Sequence, residues 1–491
     1  MSIHAEIVTD EPKGRIGSVF DDFLMTRASS RKSRRARSRK SSRIGRARAA
    51  SGNSRYHRSG GTNGIQCPLV SLFLSTVDSL GGCLPNRSKP MQVFDMAETA
   101  PYPGWSFYEF FAGGGMARAG LGSGWVCRFA NDFDPMKART YRANWVAEHL
   151  VEGDVAKLSV GQLPGSPDLV WASFPCQDLS LAGNYRGLGD EGGGNLTRSG
   201  TFWPFWSLIQ QLKADGRGPR LIVLENVPGT ITSRSGRDFS SICTALAGEG
   251  YRVGAMIVDA KRFVPQSRPR LFFVAVANGG QIPVGLSRTV PHKAWHSDAL
   301  RIAVERLPAS VRENWVWWTM PEPPLRNTVL ADLIEENPVG CTWHTPAETG
   351  NLLAMMSPLH LAKIEQARSS GQRLVGGVYK RTRPDGSGNK RQRAEIRFDD
   401  VAGCLRTPGG GSSRQTIMVV EGSSTRSRLL SPREAARLMG LSDDYILPVR
   451  YNDAYHVAGD GVCVPVVRHL ANCLLEPILR TGTCASRALA A

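Results

Sequence analysis

Three short stretches of this chain carry side chains suited to covalent chemistry. Cys176 lies in Ser173-Phe174-Pro175-Cys176-Gln177, directly after the apolar run Asp168-Leu169-Val170-Trp171-Ala172. A thiol that follows a buried strand, on a turn stiffened by proline, is held at the rim of a sheet, where open α/β sheets place their chemistry. As a thiolate it is a nucleophile. Glu225 ends the aliphatic run Leu221-Ile222-Val223-Leu224. A carboxyl group at such a rim is poorly solvated, which suits it to hold a proton near neutral pH and act as an acid. Arg268 and Arg270, in Gln266-Ser267-Arg268-Pro269-Arg270, are two residues apart. On an extended chain they share a face, where their guanidinium groups suit a carbonyl oxygen or a thiolate. Taken singly, each has a plain alternative: a small core thiol, a capping glutamate, a basic strand edge.

A second group of residues suits a nucleoside. Phe111-Ala112-Gly113-Gly114-Gly115-Met116 follows one apolar strand and opens a helix, so that a ligand can approach the backbone closely. Alone, this turn fits a dinucleotide or a simple tight turn equally well. About 20 residues on, Asp132 ends the next strand and is placed to accept bonds from ribose hydroxyls; Phe133 beside it is a flat surface for adenine. The alternative is that Asp132 caps the following helix and Phe133 belongs to the core. Asp154, with Val155, ends a third strand and suits the exocyclic amine of adenine.

The elements that must hold these residues are legible from Ser106 onward. Apolar runs of four to eight residues alternate with helical stretches, which predicts an α/β fold with a doubly wound, mostly parallel sheet. The predicted strands are Phe107–Phe111, Val126–Ala130, Leu169–Ser173, Leu221–Leu224, Val253–Val258 and Leu271–Val276. After Ala277 this alternation stops. Trp315, Trp317 and Trp318 cluster, which predicts domain packing more than base stacking. A basic, Gly-rich stretch then runs from Arg373 to Arg414. Lys380, Arg381, Arg383, Lys390, Arg391 and Arg393 are suited to phosphate contacts, or form a solvated loop. Gly409-Gly410-Gly411-Ser412-Ser413 would let backbone enter a groove. Regularity returns at Ser431-Pro432-Arg433-Glu434, a capping box that predicts a helix over Pro432–Met439. An amphipathic segment over Val464–Leu479 is expected to pack back on the sheet. The expected divisions are a basic low-complexity segment at 1–99, a catalytic and cofactor-binding domain at 104–280, a smaller irregular domain at 281–427, and a C-terminal part at 428–485 completing the catalytic domain.

The chain has 491 residues and a formal net charge of +18. Eleven Lys/Arg and no Asp/Glu lie between Arg27 and Arg48, leaving +7 for the remainder, a mild excess that suits a nucleic-acid partner. The Arg/Ser-rich segment cannot bury enough apolar surface to fold alone. It is a nucleic-acid-binding arm or a dispensable tail, with Met91 as an alternative start. The ten cysteines show no CxxC pair and no zinc-type Cys/His spacing, which predicts reduced, intracellular thiols and no metal. No apolar run reaches the roughly 18 residues of a membrane span, and Met1 opens no signal-peptide pattern.

In this order the motifs resemble the DNA (cytosine-5)-methyltransferase family of prokaryotic type. The resemblance covers about 106–277 and 429–475, and it implies that 281–427 is a target-recognition domain. Phe111-Ala112-Gly113-Gly114-Gly115 is similar to the cofactor glycine motif, Phe174-Pro175-Cys176-Gln177 to the nucleophile motif and Glu225-Asn226-Val227 to the family's Glu-Asn-Val. Gln266-Ser267-Arg268-Pro269-Arg270 is similar to its Gln-x-Arg-x-Arg, and Ser431-Pro432-Arg433-Glu434 with Leu438-Met439-Gly440 to the motif before the final helix. The resemblance implies S-adenosylmethionine as cofactor, held by Phe111, Ala112, Gly113, Gly115, Asp132, Phe133, Asp154, Val155, Pro175, Asp460 and Val462. It implies methyl transfer to C5 of a cytosine flipped out of double-stranded DNA, with Cys176 adding to C6, Glu225 donating to N3, Arg270 binding O2, and Arg268 supporting the thiolate and backbone. It further implies a cytoplasmic monomer, without a membrane partner and with a restriction endonuclease as a candidate partner. Two departures stand out. Gly459-Asp460-Gly461-Val462 carries Asp where the family has Asn, and Asp132-Phe133 replaces the frequent Glu-Trp. An RNA-methylating branch typically carries Cys-Phe-Thr shortly after Glu-Asn-Val, and that tripeptide is absent. A DNA-binding regulator without catalysis is the alternative of another class.

Overall fold

In the computed structural model, the residues described are 104–179, 186–189, 197–384, 387–406 and 414–481. The expectations for 1–99 and for the glycine run at 409–411 lie outside them.

Seven strands form the main sheet: β1 (Trp105–Phe110), β2 (Trp125–Asp132), β3 (Leu150–Glu152), β4 (Leu169–Ala172), β5 (Leu221–Asn226), β6 (Tyr251–Asp259) and β7 (Pro269–Ala277). Their spatial order is β3-β2-β1-β4-β5-β7-β6. The pairings β1–β2, β1–β4, β2–β3 and β4–β5 are parallel, whereas β7 runs antiparallel to both β5 and β6. Each predicted strand is present, with ends shifted by up to two residues. The chain steps outward from β1 to β3, then returns to β4 on the other side of β1. This reversal opens a crevice at the carboxyl ends of β1 and β4, the position that open α/β sheets use for ligands.

The strands read as continuous apolar runs because both faces are covered. Alternate residues feed opposite cores. Phe107, Trp171, Val223 and Val274 face one side; Tyr108, Val170, Ile222, Leu224 and Phe273 face the other. The first side is covered by α1 (Met116–Leu121), α2 (Pro135–Asn144) and the C-terminal helices. The second is covered by α3 (Phe202–Ala214) and α4 (Arg237–Gly248).

The expected 281–427 region divides by packing. Trp295, Val316 and Trp318 join the core of the first side, while Leu300, Val304 and Val311 from α5 (Asp298–Glu305) and α6 (Ala309–Arg312) join the second. The short strands β8 (Ser287–Arg288) and β9 (Trp317–Trp318) pair here. Trp318 is fully buried and donates from Nε1 to Val274 O at 3.0 Å, so this tryptophan packs rather than stacks on a base. A separate small core is built from α7 (Pro346–Ala354), α8 (Pro358–Ser369) and an antiparallel sheet of β10 (Leu374–Pro384), β11 (Lys390–Arg397), β12 (Thr416–Glu421) and β13 (Ser424–Leu429). Its strand order is β11-β10-β12-β13.

Three helices follow: α9 (Pro432–Leu438), α10 (Tyr451–Asp460) and α11 (Val464–Leu470). The capping box forms as expected: Ser431 Oγ accepts from Glu434 N at 3.1 Å, and Ser431 N donates to Glu434 Oε2 at 2.7 Å. Glu434 also takes the fully buried Arg428 in a two-pronged pair at 2.6 and 2.8 Å, which fixes the turn from β13 into α9. The helical run Tyr451–Thr481 is long and apolar enough to cross a membrane by length and composition, a feature that scanning for uncharged runs passes over. Its apolar residues, among them Val457, Val467, Leu470 and Leu474, are buried in the core against the sheet.

Candidate active site

Every reactive side chain singled out in the sequence lies at one edge of the main sheet. Glycine-turn residues follow β1, Asp132 ends β2, Asp154 follows β3, Cys176 follows β4 and Glu225 lies near the end of β5. Because β7 runs the opposite way, its beginning lies at this same edge. The register pairs Glu225 with Phe272 and Asn226 with Leu271, which brings Arg270 beside Glu225. Arg270 Nε lies 3.0 Å from Glu225 Oε1.

Cys176 is partly exposed. Burial pushes its thiol up from the ordinary cysteine value, opposed by Arg270 and Arg268, while Glu225 adds to the rise. Asn226, 1% exposed, donates from Nδ2 to Phe174 O at 3.1 Å and so pins the turn that presents Cys176 to the end of β5.

Arg268 is 2% exposed and works as a clasp. It donates from Nη2 to Gly459 O at 2.8 Å and Gly461 O at 2.7 Å, and from Nη1 to Leu405 O at 3.1 Å. One guanidinium thereby ties the start of β7 to the end of α10 and to the stretch returning from the small domain. Gln266, fully buried, does parallel work: its Nε2 donates to Leu438 O at 2.7 Å and its Oε1 accepts from Leu405 N at 3.1 Å.

Sequence patterns gave no sign of Cys404. Its Sγ lies 3.5 Å from Arg268 Nη1 and 4.0 Å from Arg270 Nη1. Burial pushes this thiol up, but Arg268 and Arg270 outweigh it and bring it below the ordinary value. It sits in an irregular stretch that no periodicity marks, and only the fold brings it to the arginines.

The cofactor candidates cluster around the β1 turn. Phe111 and Gly113 adopt left-handed φ angles of 57° and 56°. Gly113 N donates to Asp132 Oδ2 at 2.7 Å, and Asp134 N donates to Asp132 Oδ1 at 2.8 Å. Asp132 is thus buried and holds the turn; Asp134, rather than Asp132, caps α2. A Cβ on Gly113 would meet nothing within 4 Å, so the turn is open there, whereas one on Gly114 would strike the Tyr445 hydroxyl. Ala112 and Val155 are buried, and Phe133 is 73% exposed at the rim, available to cover a flat ring rather than part of the core. Asp154 Oδ1 accepts from Ala156 N at 3.0 Å. Asn131, missed in the sequence, donates from Nδ2 to Val151 O and Gly153 O at 2.9 and 3.0 Å and locks the ends of β2 and β3 together. Pro175 precedes the thiol on its turn, and Val462 is buried just past α10. Asp460 forms an ion pair with Lys137 Nζ at 2.8 Å. This pair supplies a countercharge for the carboxylate that stands in place of the expected Asn. Among the described residues no group of three or more His, Cys, Asp or Glu is arranged to hold a metal ion.

The family model for C-5 cytosine-specific DNA methylases matches residues 105–476. The chain belongs to that family. Among curated relatives, the methylase is 24% identical to the type II methyltransferase M.SsoII of Shigella sonnei, over 82% of this chain and 88% of that one. It is 26% identical to the type II methyltransferase M.HpaII of Haemophilus parainfluenzae, over 76% of this chain and 90% of that one. A solved structure of the S. pombe Dnmt2 methyltransferase aligns with a TM-score of 0.44 at 16% identity, covering 76% of this methylase and 99% of that chain.

Proposed function

We propose that this methylase transfers a methyl group from S-adenosylmethionine to C5 of cytosine in double-stranded DNA, through a covalent adduct of Cys176. The observation that carries this reading is the convergence of Cys176, Glu225 and Arg270 at one sheet edge, with Arg270 3.0 Å from Glu225. The similarity to proteins named type II methyltransferases supports DNA as the substrate and a restriction-modification setting.

Cytosine C5 is a weak nucleophile because its ring is electron-poor. Addition of the Cys176 thiolate to C6, with a proton passing from Glu225 to N3, turns C5 into an enamine carbon. S-adenosylmethionine, when bound, supplies the electrophilic methyl group that this carbon takes. Loss of the C5 proton to water, departure of the sulfur from C6 and return of the N3 proton to Glu225 then restore the aromatic ring, the thiolate and the acid. Arg270 holds the cytosine O2 and keeps Glu225 aligned. Arg268 acts through backbone, holding the segments on which the other groups stand. The ring of Phe133 and the carboxylate of Asp154 suit adenine, the carboxylate of Asp132 suits the ribose and the open turn at Gly113 suits close backbone approach, with Phe111, Ala112, Gly115, Val155, Pro175, Asp460 and Val462 completing the cradle. The reaction requires access to both faces of the ring and so requires a base flipped out of the duplex.

The test is transfer of a labelled methyl group to genomic DNA by purified protein. Wild type is expected to label DNA, and Cys176→Ala is expected to abolish labelling while still binding S-adenosylmethionine in calorimetry. Full activity in Cys176→Ala would refute the covalent route.

A further inference from the structure

The hairpin of β10 and β11 is built in two halves. Its inner half is anchored in the small core through Val378, Ala394 and Ile396. Its outer half, Lys380–Pro384 and Lys390–Gln392, is exposed throughout. The antiparallel register places Arg381 opposite Arg393 and Arg383 opposite Arg391. Cross-strand partners and residues two apart lie on the same face, so these four arginines form a rectangle on one side of the ribbon. Lys380 and Lys390 are displaced by one position and lie on the other side.

Like charges directly opposite one another on a sheet are destabilising. Here the rectangle is partly braced. Glu395 takes Arg381 Nε at 3.2 Å through Oε2 and Arg383 Nε at 3.1 Å through Oε1. Tyr379, opposite Glu395, lies under the Arg381 guanidinium at 5.8 Å. A guanidinium gripped at Nε is oriented so that its terminal nitrogens can serve as a planar fork. A phosphate contact can also be made by the point charge of a lysine, without such an orientation.

The spacing also fits a duplex. Residues two apart on a strand are separated by about 6.8 Å, which matches two base-pair steps of about 3.4 Å each. The DNA major groove, about 12 Å wide, admits a two-stranded β-ribbon, and arginine pairs bidentately with guanine O6 and N7 there.

We infer that the arginine face of the β10–β11 ribbon enters the DNA major groove and reads guanines beside the target cytosine, making Arg381, Arg383, Arg391 and Arg393 specificity determinants rather than phosphate contacts. The inference rests on the DNA-methylating reading above. It also assigns the two ribbon faces different tasks, with Lys380 and Lys390 contributing only general attraction to the polyanion.

The experiment uses the full chain and a duplex bearing the methylated sequence, mapped by bisulfite sequencing of DNA treated with wild type. Each guanine near the target is replaced in turn by 7-deazaguanine, which lacks N7. At one or more positions the wild-type rate should fall at least about five-fold, the lower end of what one bidentate pair discriminates. Arg381→Ala or Arg393→Ala should lose discrimination at a matching position, with no further penalty from 7-deazaguanine there and an unchanged or higher melting temperature. Lys380→Ala should flatten the salt dependence while preserving the guanine preference. If wild type methylates normally and no 7-deazaguanine slows it, or if the arginine variants lose rate equally on all sequences with a shallower salt slope, the ribbon contacts phosphates and the inference fails. Absence of methyl transfer to any DNA by wild type would instead sink the reading on which it rests.

Discussion

Arg270 and Glu225 meet across the antiparallel pairing of β5 and β7, with Nε 3.0 Å from Oε1. A parallel strand at that position would have carried its first residues to the opposite edge of the sheet. Reversal of β7 is what turns a sequence motif before a strand into a neighbour of motifs that follow strands. The same guanidinium opposes the rise that burial imposes on the Cys176 thiol, so one arginine couples the proposed acid to the proposed nucleophile.

Glu225→Gln keeps the shape of the side chain and removes the exchangeable proton. Methyl transfer should fall by roughly 10²- to 10⁴-fold, the usual contribution of a positioned acid, with S-adenosylmethionine affinity nearly unchanged. Single-turnover transfer and calorimetric titration of the cofactor measure the two. Retention of more than a tenth of the wild-type rate would remove Glu225 from the chemistry.

The two thiols at the arginines should react differently with iodoacetamide. Cys404 is held below the ordinary cysteine value and Cys176 above it, so Cys404 should label first near neutral pH, and Cys176 should label faster as pH rises. Arg270→Met removes a lowering influence from both, and should slow both at fixed pH. Mass spectrometry of the labelled peptides reads the order; Cys176 labelling first would contradict this electrostatic account.

Arg268→Met leaves the carbonyls of Gly459, Gly461 and Leu405 without their donor in a buried setting. Unfolding in urea should show a loss of about 3–5 kcal/mol, the range expected for a broken buried charged network. A loss under about 1 kcal/mol would mean that the clasp is replaceable.

Glu109 on β1 is 1% exposed, its Oε2 has no hydrogen-bond partner, and burial pushes its carboxyl up to about 8, against a partial lowering by Arg118. The folded state therefore keeps a proton that the unfolded chain releases near 4.5. Stability should fall as pH rises from about 4.5 to about 8, because the unfolded state binds fewer protons across that window. Melting curves of wild type and Glu109→Gln should diverge over this range, with the variant gaining relative stability at the high end. Parallel curves would show that the carboxyl is not protonated in the fold.

The fold class followed from the alternation of apolar runs, because strands covered on both faces leave an unbroken signature in sequence. Cys176, Glu225 and the arginines stood out because each sits at a strand boundary, where a polar group next to an aliphatic run is conspicuous. Asp132 illustrates a partial reading: it ends β2 as expected, yet both its oxygens also hold backbone N–H groups, a role that its position alone does not reveal. The contacts of Asn226 and Asn131, and the place of Cys404 at the arginines, were not legible, since their partners lie 20 to more than 130 residues away and no period links them.

What the sequence determined by itself was a set of candidate reactive groups and the α/β order, since both depend on local residue type and spacing. Tertiary structure alone decided their assembly. The reversal at β1 and β4 opened the crevice, the reversed β7 delivered Arg270 to Glu225, and Arg268 tied two distant segments to the start of β7. Those outcomes depend on strand direction and on contacts between residues remote in sequence, which a pattern of local preferences does not encode.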